Sequence, residues 1–436
     1  MMIRILESAS PAFRRFLASM LARPASASKV DKDVAAIVEA VRREGDPALI
    51  RLTAKFDGVP LTRDRVRVTS TEMTAALAGL PAGDRRALTL AARRIAAYHR
   101  HTVERPFDFR DSVGMRLGQI VRPLDRVGIY VPGGLGAYPS TVLMNALAAQ
   151  AAGVREIVMV SPPSREGERP SVLAAAAIAG VHEFYRVGGA QAIAALAFGT
   201  ATIRPVDKIV GPGNAWVQAA KRMVYGTVDI DKVAGPSEVT IIADANARAD
   251  WVAADLIAQA EHGSGDESAI VLTPSRPLAD KVAAAVELAL AELPRAAAVR
   301  KVLAGGRSAI VIVGGLEEAF TLANRIAPEH LELEIERPRK WLSRVKSAGA
   351  VFIGANSPAP LGDYIAGPNH VLPTGGAARF ASPLGAYDFV KRTSIIESSP
   401  AALKRLGPAV IRLANMEGFA GHARAVEARL KGRLAR

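Results

Sequence analysis

The sequence of 436 residues contains no cysteine, which excludes disulfide bridges, thiol nucleophiles and thiolate metal ligands. Any bound metal must therefore be held by histidine, carboxylate or amide oxygen. The absence of cysteine suits a reducing cytoplasm, where we expect the protein to work. Long apolar runs are lacking too. Stretches such as 172–181 reach ten residues, whereas a membrane helix needs roughly 20, so we expect no contact with a membrane.

Acidic residues are outnumbered by basic ones, 42 to 56, which gives a net charge of +14. Such a charge can indicate nucleic-acid binding, but the Lys and Arg residues are scattered through helical segments rather than gathered in one stripe. A modest excess lies in 384–436, with ten Lys/Arg and four Asp/Glu, and this tail could rest on an acidic neighbouring subunit. We therefore predict no nucleic-acid partner.

Short β-rich runs recur in two groups of four, each run bounded by Gly, Pro or Ser. They lie at 126–131, 156–161, 183–187 and 208–211, and at 238–244, 268–273, 308–313 and 349–354. Ala-rich helical patterns separate them, and strands that alternate with helices predict parallel sheets covered on both faces. The predicted fold class is α/β with two open modules, a helical stretch before them and a helical tail after them.

Neither module carries the G-x-G-x-x-G sequence that follows the first strand of many dinucleotide-binding folds. Residues 131–134 read Val-Pro-Gly-Gly at that place, without the glycine spacing. The pattern alone therefore leaves nicotinamide binding open.

Two polar segments follow predicted helices. Gln259 and His262 are three residues apart in a last helical turn, where they share a face and the carbonyl dipoles favour a cation. Glu329 and His330 follow Pro328, which ends a helix, and adjacent side chains can serve different atoms of one substrate. An imidazole is the natural proton acceptor at neutral pH. Taken alone, both segments are more typical of polar helix ends than of a functional site.

Further polar candidates lie near the C-terminus. Asp363 and His370 belong to a loop after the last predicted strand, and ligands bind beyond the carboxyl ends of strands in open α/β sheets. Glu417 and His422 are five residues apart, about 140° around a regular helix, so they would not share a face. The glycines at 418 and 421 would allow an irregular segment there.

Ten short strings occur in a fixed order between residues 130 and 422, and the resemblance that they carry runs from about residue 30 to the end of the chain. They are YVPGG at 130, YPSTVLMNA at 138, VGGAQAIAALAFGT at 187, KIVGPGN at 208, AGPSEV at 234, QAEH at 259, APEHLE at 327, GDY at 362, NHVLPT at 369 and EGFAGH at 417. Together they resemble the histidinol dehydrogenase family far more specifically than any one string does. This family binds NAD without the glycine fingerprint.

The resemblance implies two related, incomplete Rossmann-like domains and a homodimer that exchanges its helical tails. On that basis we predict an N-terminal arm, an α/β domain with most of the zinc and substrate site, an NAD-side domain and a tail that reaches the partner subunit. Their respective bounds are 1–25, 26–124 with 238–381, 125–237, and 382–436.

The resemblance also implies a reaction, the oxidation of L-histidinol through its aldehyde to L-histidine with Zn²⁺ and two NAD. The implied acid–base pair is Glu329 and His330. The implied zinc ligands are Gln259, His262, Asp363 and, from the neighbouring subunit, His422. Substrate contacts would come from Ser237, Gln259, His262, His330, Asp363, His370, Glu417 and His422. NAD contacts would come from Tyr130, Gln191 and Asn214.

Some positions depart from the family pattern. Asp229 and Lys232 stand where relatives mostly have Gly and Met, and Lys232 is near Ser237 in the sequence. These residues leave open a paralogous zinc- and NAD-dependent dehydrogenase acting on another small polar alcohol. A zinc hydrolase in which Glu329 activates water without nicotinamide is a further alternative.

Overall fold

The computed structural model describes residues 3–22, 29–133, 136–233, 235–261 and 265–432. Its contacts divide the chain into a first unit, Met1–Thr102 with Leu124–Phe389, and a second unit, Val103–Pro123 with Val390–Arg436. The strands are β1 (Ile5–Glu7), β2 (Arg67–Val68), β3 (Phe107–Arg110), β4 (Met115–Pro123), β5 (Arg126–Tyr130), β6 (Glu156–Val160), β7 (Glu183–Tyr185), β8 (Lys208–Val210), β9 (Asp229–Ile230), β10 (Glu238–Ala243), β11 (Ser268–Thr273), β12 (Ala309–Ile312), β13 (His330–Glu334), β14 (Ala350–Ile353) and β15 (Val390–Ser398). The helices are α1 (Pro11–Leu21), α2 (Lys29–Glu44), α3 (Asp46–Asp57), α4 (Ser70–Gly79), α5 (Ala82–His99), α6 (Pro139–Ala152), α7 (Pro170–Ile178), α8 (Gly189–Phe198), α9 (Ala215–Val224), α10 (Ala249–Ala260), α11 (Arg276–Leu290), α12 (Ala296–Leu303), α13 (Leu316–Ile326), α14 (Ala359–Tyr364), α15 (Pro400–Met416) and α16 (Ala420–Lys431).

The first unit contains two open sheets of six strands, which confirms the predicted α/β fold. One sheet has the order β2-β7-β6-β5-β8-β9, parallel except for β2. The other is wholly parallel, in the order β1-β12-β11-β10-β13-β14. Each of the eight predicted runs contains a strand of one sheet, because a buried parallel strand is apolar along its length.

The helices at 29–99 belong with the β5 sheet. Residues of α2 and α3 pack on one face of that sheet together with α8 and α9, and residues of α4 and α5 pack on its other face together with α6 and α7. The prediction from the sequence groups 26–124 with 238–381. The apolar faces of these helices instead bury their side chains against the β5 sheet.

The β10 sheet is covered by α10, α11 and α12 on one face and by α1 and α13 on the other. The N-terminal arm contributes one strand to the β10 sheet and one helix to a face of that sheet. Its strand β1 pairs with β12, and Phe13 and Phe16 of α1 enter the core. The arm thus completes one edge of the sheet.

The second unit has its own antiparallel sheet of order β15-β4-β3, followed by α15 and α16. The prediction of a helical tail at 382–436 is therefore wrong at its start, since β15 occupies Val390–Ser398. β-Branched residues such as Thr393 and Ile395 favour a strand, and β4 provides nine residues of pairing. No helix in the described parts of the chain is both long and apolar enough to cross a bilayer.

Candidate active site

Two cavities of ligand size open in the first unit. One has a volume of about 840 Å³ and lies on the β5 sheet, and the other has a volume of about 730 Å³ and lies beside His330. Both volumes fall in the usual range for small-molecule sites. The three predicted NAD contacts line the larger cavity, and three of the predicted substrate contacts, His330, Asp363 and His370, line the smaller one.

The larger cavity lies beyond the carboxyl ends of β5 to β8. Tyr130 is the last residue of β5, Gln191 is in the first turn of α8, and Asn214 caps the N-terminus of α9 with its side chain. All three line this cavity. The loops that follow parallel strands have thus brought together the three predicted NAD contacts, the first and last of which lie 84 residues apart along the chain.

Several polar groups of this cavity are held in place. The Tyr130 hydroxyl accepts a hydrogen bond from the backbone N–H of Gly189 at 3.1 Å, and burial raises the pKa of Tyr130 to about 12. Gly189 itself has a φ of +63°, a conformation that favours glycine. The side chain of Gln191 is 1% exposed, and its Nε2 has no hydrogen-bond partner among the described residues. This amide is therefore a donor available to a ligand.

The smaller cavity lies at the amino ends of the strands of the β10 sheet, whereas the larger cavity lies at the carboxyl ends of the strands of the β5 sheet. His330 is the first residue of β13, so its imidazole stands at the amino end of an internal strand. The sequence predicts that the loop after β14 lies beyond the carboxyl ends of the strands. It returns to the amino edge instead, where the Gly375 N–H donates to the carboxylate of Glu238, the first residue of β10.

The His330 imidazole contacts two of the predicted ligands. Its Nδ1 lies 3.4 Å from Gln259 Oε1, and its Nε2 lies 3.6 Å from Asp363 Oδ1. Because an amide oxygen only accepts, Nδ1 carries the proton that faces Gln259. Burial disfavours the charged ring, but the nearby carboxylates of Glu329 and Asp363 outweigh it and raise the pKa of His330 to about 9.

Glu329 is hydrogen-bonded to the backbone of Glu238, a second buried acid that the sequence analysis did not single out. Glu329 Oε2 accepts from the backbone N–H of Glu238 at 3.0 Å and lies 4.0 Å from His330 Nδ1. Burial, and then the charge of Glu329, raise the pKa of Glu238 to about 7. The only sequence signal for Glu238 was a charged residue at the start of an otherwise apolar strand.

His370 links the two halves of the unit. Its Nδ1 donates to the backbone carbonyl of Asp363 at 2.8 Å, and its Nε2 lies 3.3 Å from the hydroxyl of Thr141 in α6. Residue Ala137, one turn before Thr141, lines the larger cavity, whereas His370 lines the smaller one. The start of α6 therefore lies between the two cavities.

The remaining predicted residues are distributed as follows. Ser237 precedes β10, and its carbonyl accepts from Ser268 N–H. His262 lies outside the described residues. Glu417 and His422 belong to the second unit, at the break between α15 and α16, where Gly418 has a φ of +78°. This break is the irregular segment that the glycines indicated.

The residues that depart from the family pattern make internal contacts. Lys232 Nζ donates to the backbone carbonyls of Val371 and Ser382, both at 3.0 Å. Asp229 pairs with the buried Lys208 at 2.8 Å. Both side chains thus stabilise the fold, and neither lines either of the two cavities described above.

The sequence analysis missed β13 as a strand. Its residues alternate, with His330, Glu332 and Glu334 on one face and Leu331 and Leu333 on the other. A search for continuous apolar runs cannot find such a strand, although the period of two was present. The face that carries His330 therefore also carries two buried carboxyl groups.

Among the described stretches of the chain, no three His, Cys, Asp or Glu side chains group as a metal centre. Of the four predicted zinc ligands, Gln259 is none of these types, His262 is outside the described residues, and His422 is in the second unit. Gln259 and Asp363 do meet at one imidazole. Both the Gln259 Nε2 and the His330 Nε2 are buried without a hydrogen-bond partner in the described part, as expected of groups that face a ligand.

Comparisons with known proteins give one family. The family model for histidinol dehydrogenase matches residues 21–430. The histidinol dehydrogenase of Nitrosomonas europaea is 48% identical over 98% of this chain and 99% of its own length. That of Rhizobium meliloti is 50% identical over 96% of each chain. The crystal structure of histidinol dehydrogenase from Elizabethkingia anophelis has a TM-score of 0.92, with 36% identity and 98% of both chains covered.

The buried acid Glu238 gives a testable dependence of stability on pH. An unfolded glutamate loses its proton near pH 4.5, whereas folded Glu238 keeps it to about pH 7, so this group costs stability as the pH rises between those values. Glu238→Gln stays neutral. It should gain about 2–3 kcal/mol in free energy of unfolding, relative to the unchanged protein, between pH 5 and pH 8.

Urea unfolding at the two pH values measures this difference. Glu292→Gln, at an exposed position, is the control and should follow the unchanged protein at both. A Glu238→Gln protein whose stability parallels the unchanged protein from pH 5 to pH 8 would contradict the prediction.

Proposed function

Because the chain belongs to the histidinol dehydrogenase family and is thus an oxidoreductase of histidine biosynthesis, we propose that it oxidises L-histidinol through L-histidinal to L-histidine. The reaction uses Zn²⁺ and two NAD. The observation that carries this proposal is the imidazole of His330, which stands in a cavity between Gln259 and Asp363. A base and a carboxylate thus line one ligand-sized space, and an amide oxygen lies 3.4 Å from the base.

The donor atoms of the predicted ligands fit a zinc ion. Gln259, His262 and Asp363 would hold it, together with His422 of the partner subunit. Such a set offers only nitrogen and oxygen donors, which zinc accepts, although a glutamine ligand is unusual. The Gln259 amide oxygen and the Asp363 carboxylate both lie next to His330, which supports this assignment. Bound zinc would attract the imidazole and amine nitrogens of the substrate and so fix its carbinol carbon.

The larger cavity fits a nicotinamide cofactor. Tyr130, Gln191 and Asn214 would contact it, with the Gln191 amide as a donor and the Tyr130 phenol kept neutral by burial. The position of all three residues beyond the carboxyl ends of parallel strands, where open α/β sheets bind ligands, supports this assignment. Bound NAD would accept the hydride in each of the two oxidation steps.

His330 is the residue that takes the hydroxyl proton of the substrate, at Nε2. Because the neighbouring carboxylates raise the pKa of His330 to about 9, the ring must lose a proton before it can act. In the neutral ring the Nδ1–H is directed at Gln259 Oε1 and the lone pair of Nε2 faces the cavity. The Glu329 carboxylate, 4.0 Å from Nδ1, faces the positive charge that the ring gains. An imidazole oriented in this way acts as a general base.

Glu329 activates the water that hydrates the aldehyde before the second oxidation. The backbone N–H of Glu238 holds Glu329 Oε2, so the carboxylate has a fixed direction at the amino edge of the sheet. Ser237, His370 and Glu417 contact the substrate. Both oxidation steps occur in one enclosed site, which protects a reactive aldehyde from side reactions.

The active assembly is a homodimer whose second unit reaches the site of its partner. The contribution of that unit is Glu417 and His422, which are exposed within a single chain. The protein works in the cytoplasm, without nucleic acid or membrane, and the absence of cysteine and the scattered basic residues support this.

The number of NADH formed tests the reaction. Zinc-loaded protein with limiting L-histidinol and excess NAD should form two NADH per substrate molecule, as measured by absorbance at 340 nm. A single NADH would indicate an ordinary alcohol dehydrogenase. Formation of no NADH would favour the zinc hydrolase and overturn the proposal.

Substitution of the base tests the role of His330. His330→Asn keeps a polar side chain but cannot accept the proton, so turnover should fall by about 10²–10⁴-fold. His101→Asn, at an exposed histidine, is the matched control and should retain activity. Unchanged turnover of His330→Asn would exclude His330 as the base.

Mixing inactive variants tests the shared site. A His422→Ala chain keeps His330, and a His330→Asn chain keeps His422, so one of the two sites in a mixed dimer is complete. Refolding the variants together in equal amounts should restore about a quarter of the activity, as random pairing predicts. If the mixture stays as inactive as each variant alone, each chain supplies its own His422.

A further inference from the structure

Glu332 is a buried acid of β13 that the proposed reaction does not use. Its side chain is 1% exposed, and its Oε1 accepts a hydrogen bond from the backbone N–H of Ala359 at 2.8 Å. It is also hydrogen-bonded to the side chain of Asp255 in α10. One carboxyl group thus joins a strand to two helices.

Glu332 and its two hydrogen-bonding partners each lie one repeat of their own element from a residue of the proposed site, which is two residues in a strand and about four in a helix. Glu332 is two residues after His330, so the two side chains lie on the same face of β13. Asp255 is one turn before Gln259 in α10, and helix residues four apart share a face. Ala359 is one turn before Asp363 in α14.

Two parallel layers of contacts follow from these repeats. The outer layer consists of Gln259, His330 and Asp363, with separations of 3.4 and 3.6 Å from the imidazole. The inner layer consists of Asp255, Glu332 and Ala359. Because both layers connect the same three elements, the inner contacts determine where α10 and α14 lie relative to the strand.

The inner layer requires a proton. Two carboxylates repel, so Asp255 and Glu332 can bond only if one of them is protonated. Burial, and then the charge of Asp255, raise the pKa of Glu332 to about 8, and burial raises the pKa of Asp255 to about 6. No N–H group of the described residues donates to the buried Glu332 Oε2, so this oxygen is free to take part in the carboxyl–carboxyl contact.

We propose that Glu332 is a positioning residue whose buried carboxyl group holds α10 and α14 against β13. It thereby keeps Gln259 and Asp363 aligned on His330. The inference rests on the proposed zinc site for its link to function. Without touching the substrate, Glu332 would set the separation of two zinc ligands.

Two substitutions in the full-length protein separate the contacts from the charge. Glu332→Gln keeps the oxygen that accepts from Ala359 and offers an amide N–H to Asp255, so its zinc affinity and turnover should stay close to those of the unchanged protein. Glu332→Leu removes both contacts. Its zinc affinity, measured against a chromophoric chelator, should fall by about 10–100-fold, the usual effect of losing a support of a metal ligand.

Glu334→Leu is the matched control. Glu334 is a buried carboxyl group on the same face of β13, two residues after Glu332. The hydrogen bonds from this face to α10 and α14 are those of Glu332. Glu334→Leu should therefore leave zinc affinity unchanged even if it lowers the melting temperature. A merely structural role for Glu332 predicts that the two leucine variants behave alike.

Hydrogen exchange of the same proteins without metal gives a second readout. Glu332→Leu should speed exchange in peptides that cover the last turn of α10 and α14, and Glu334→Leu should not. Should Glu332→Leu fail to fold, Asp255→Leu breaks the same contact from the helix side and should show the same two effects.

The outcomes separate the inference from the proposed function. An unchanged protein that binds no zinc overturns the zinc site, and the exchange comparison then still decides the positioning role. Zinc binding by Glu332→Leu that equals the unchanged protein overturns the inference, as does exchange indistinguishable from Glu334→Leu. Equal losses in Glu332→Gln and Glu332→Leu also overturn it, because the glutamine keeps both contacts.

Discussion

Backbone pairing on both sides of β13 fixes the residue on which the candidate site depends. His330 is the first residue of this strand and lies opposite Val239 of β10 on one side and Ala350 of β14 on the other. An internal strand cannot shift without breaking both ladders, so the imidazole has a defined position at the amino edge of the sheet. Gln259 and Asp363 are carried to it by helices that pack on the same sheet.

Burial of acids beneath and beside this imidazole is the second constraint. Glu238, Glu329 and Glu332 are all almost completely buried, and a charge in such surroundings is costly unless it is paired or neutralised. Backbone N–H groups donate hydrogen bonds to these buried carboxyl groups, and at Glu332 a second carboxyl group also contributes a hydrogen bond. The same contacts fix the directions of the groups that form the site.

The two sheets present their cavities at opposite ends of their strands. On the β5 sheet the loops beyond the carboxyl ends form the larger cavity, as in other open α/β folds. On the β10 sheet the segment after β14 turns back, and the smaller cavity forms at the amino ends. The start of α6 lies between the two cavities, and its Thr141 contacts His370 of the smaller one. Two ligands can therefore be held in adjacent spaces.

Local patterns in the sequence determined the strand runs, the α/β class and the family, because each depends on residues close together in the chain or on ordered motifs. They also indicated His330 and Gln259, but not that the two touch. The strand β13, the return of the loop to the amino edge and the role of Glu332 required the tertiary structure. Contacts among residues 255, 332 and 359 arise only when α10, β13 and α14 pack together, and no periodicity within one segment records them.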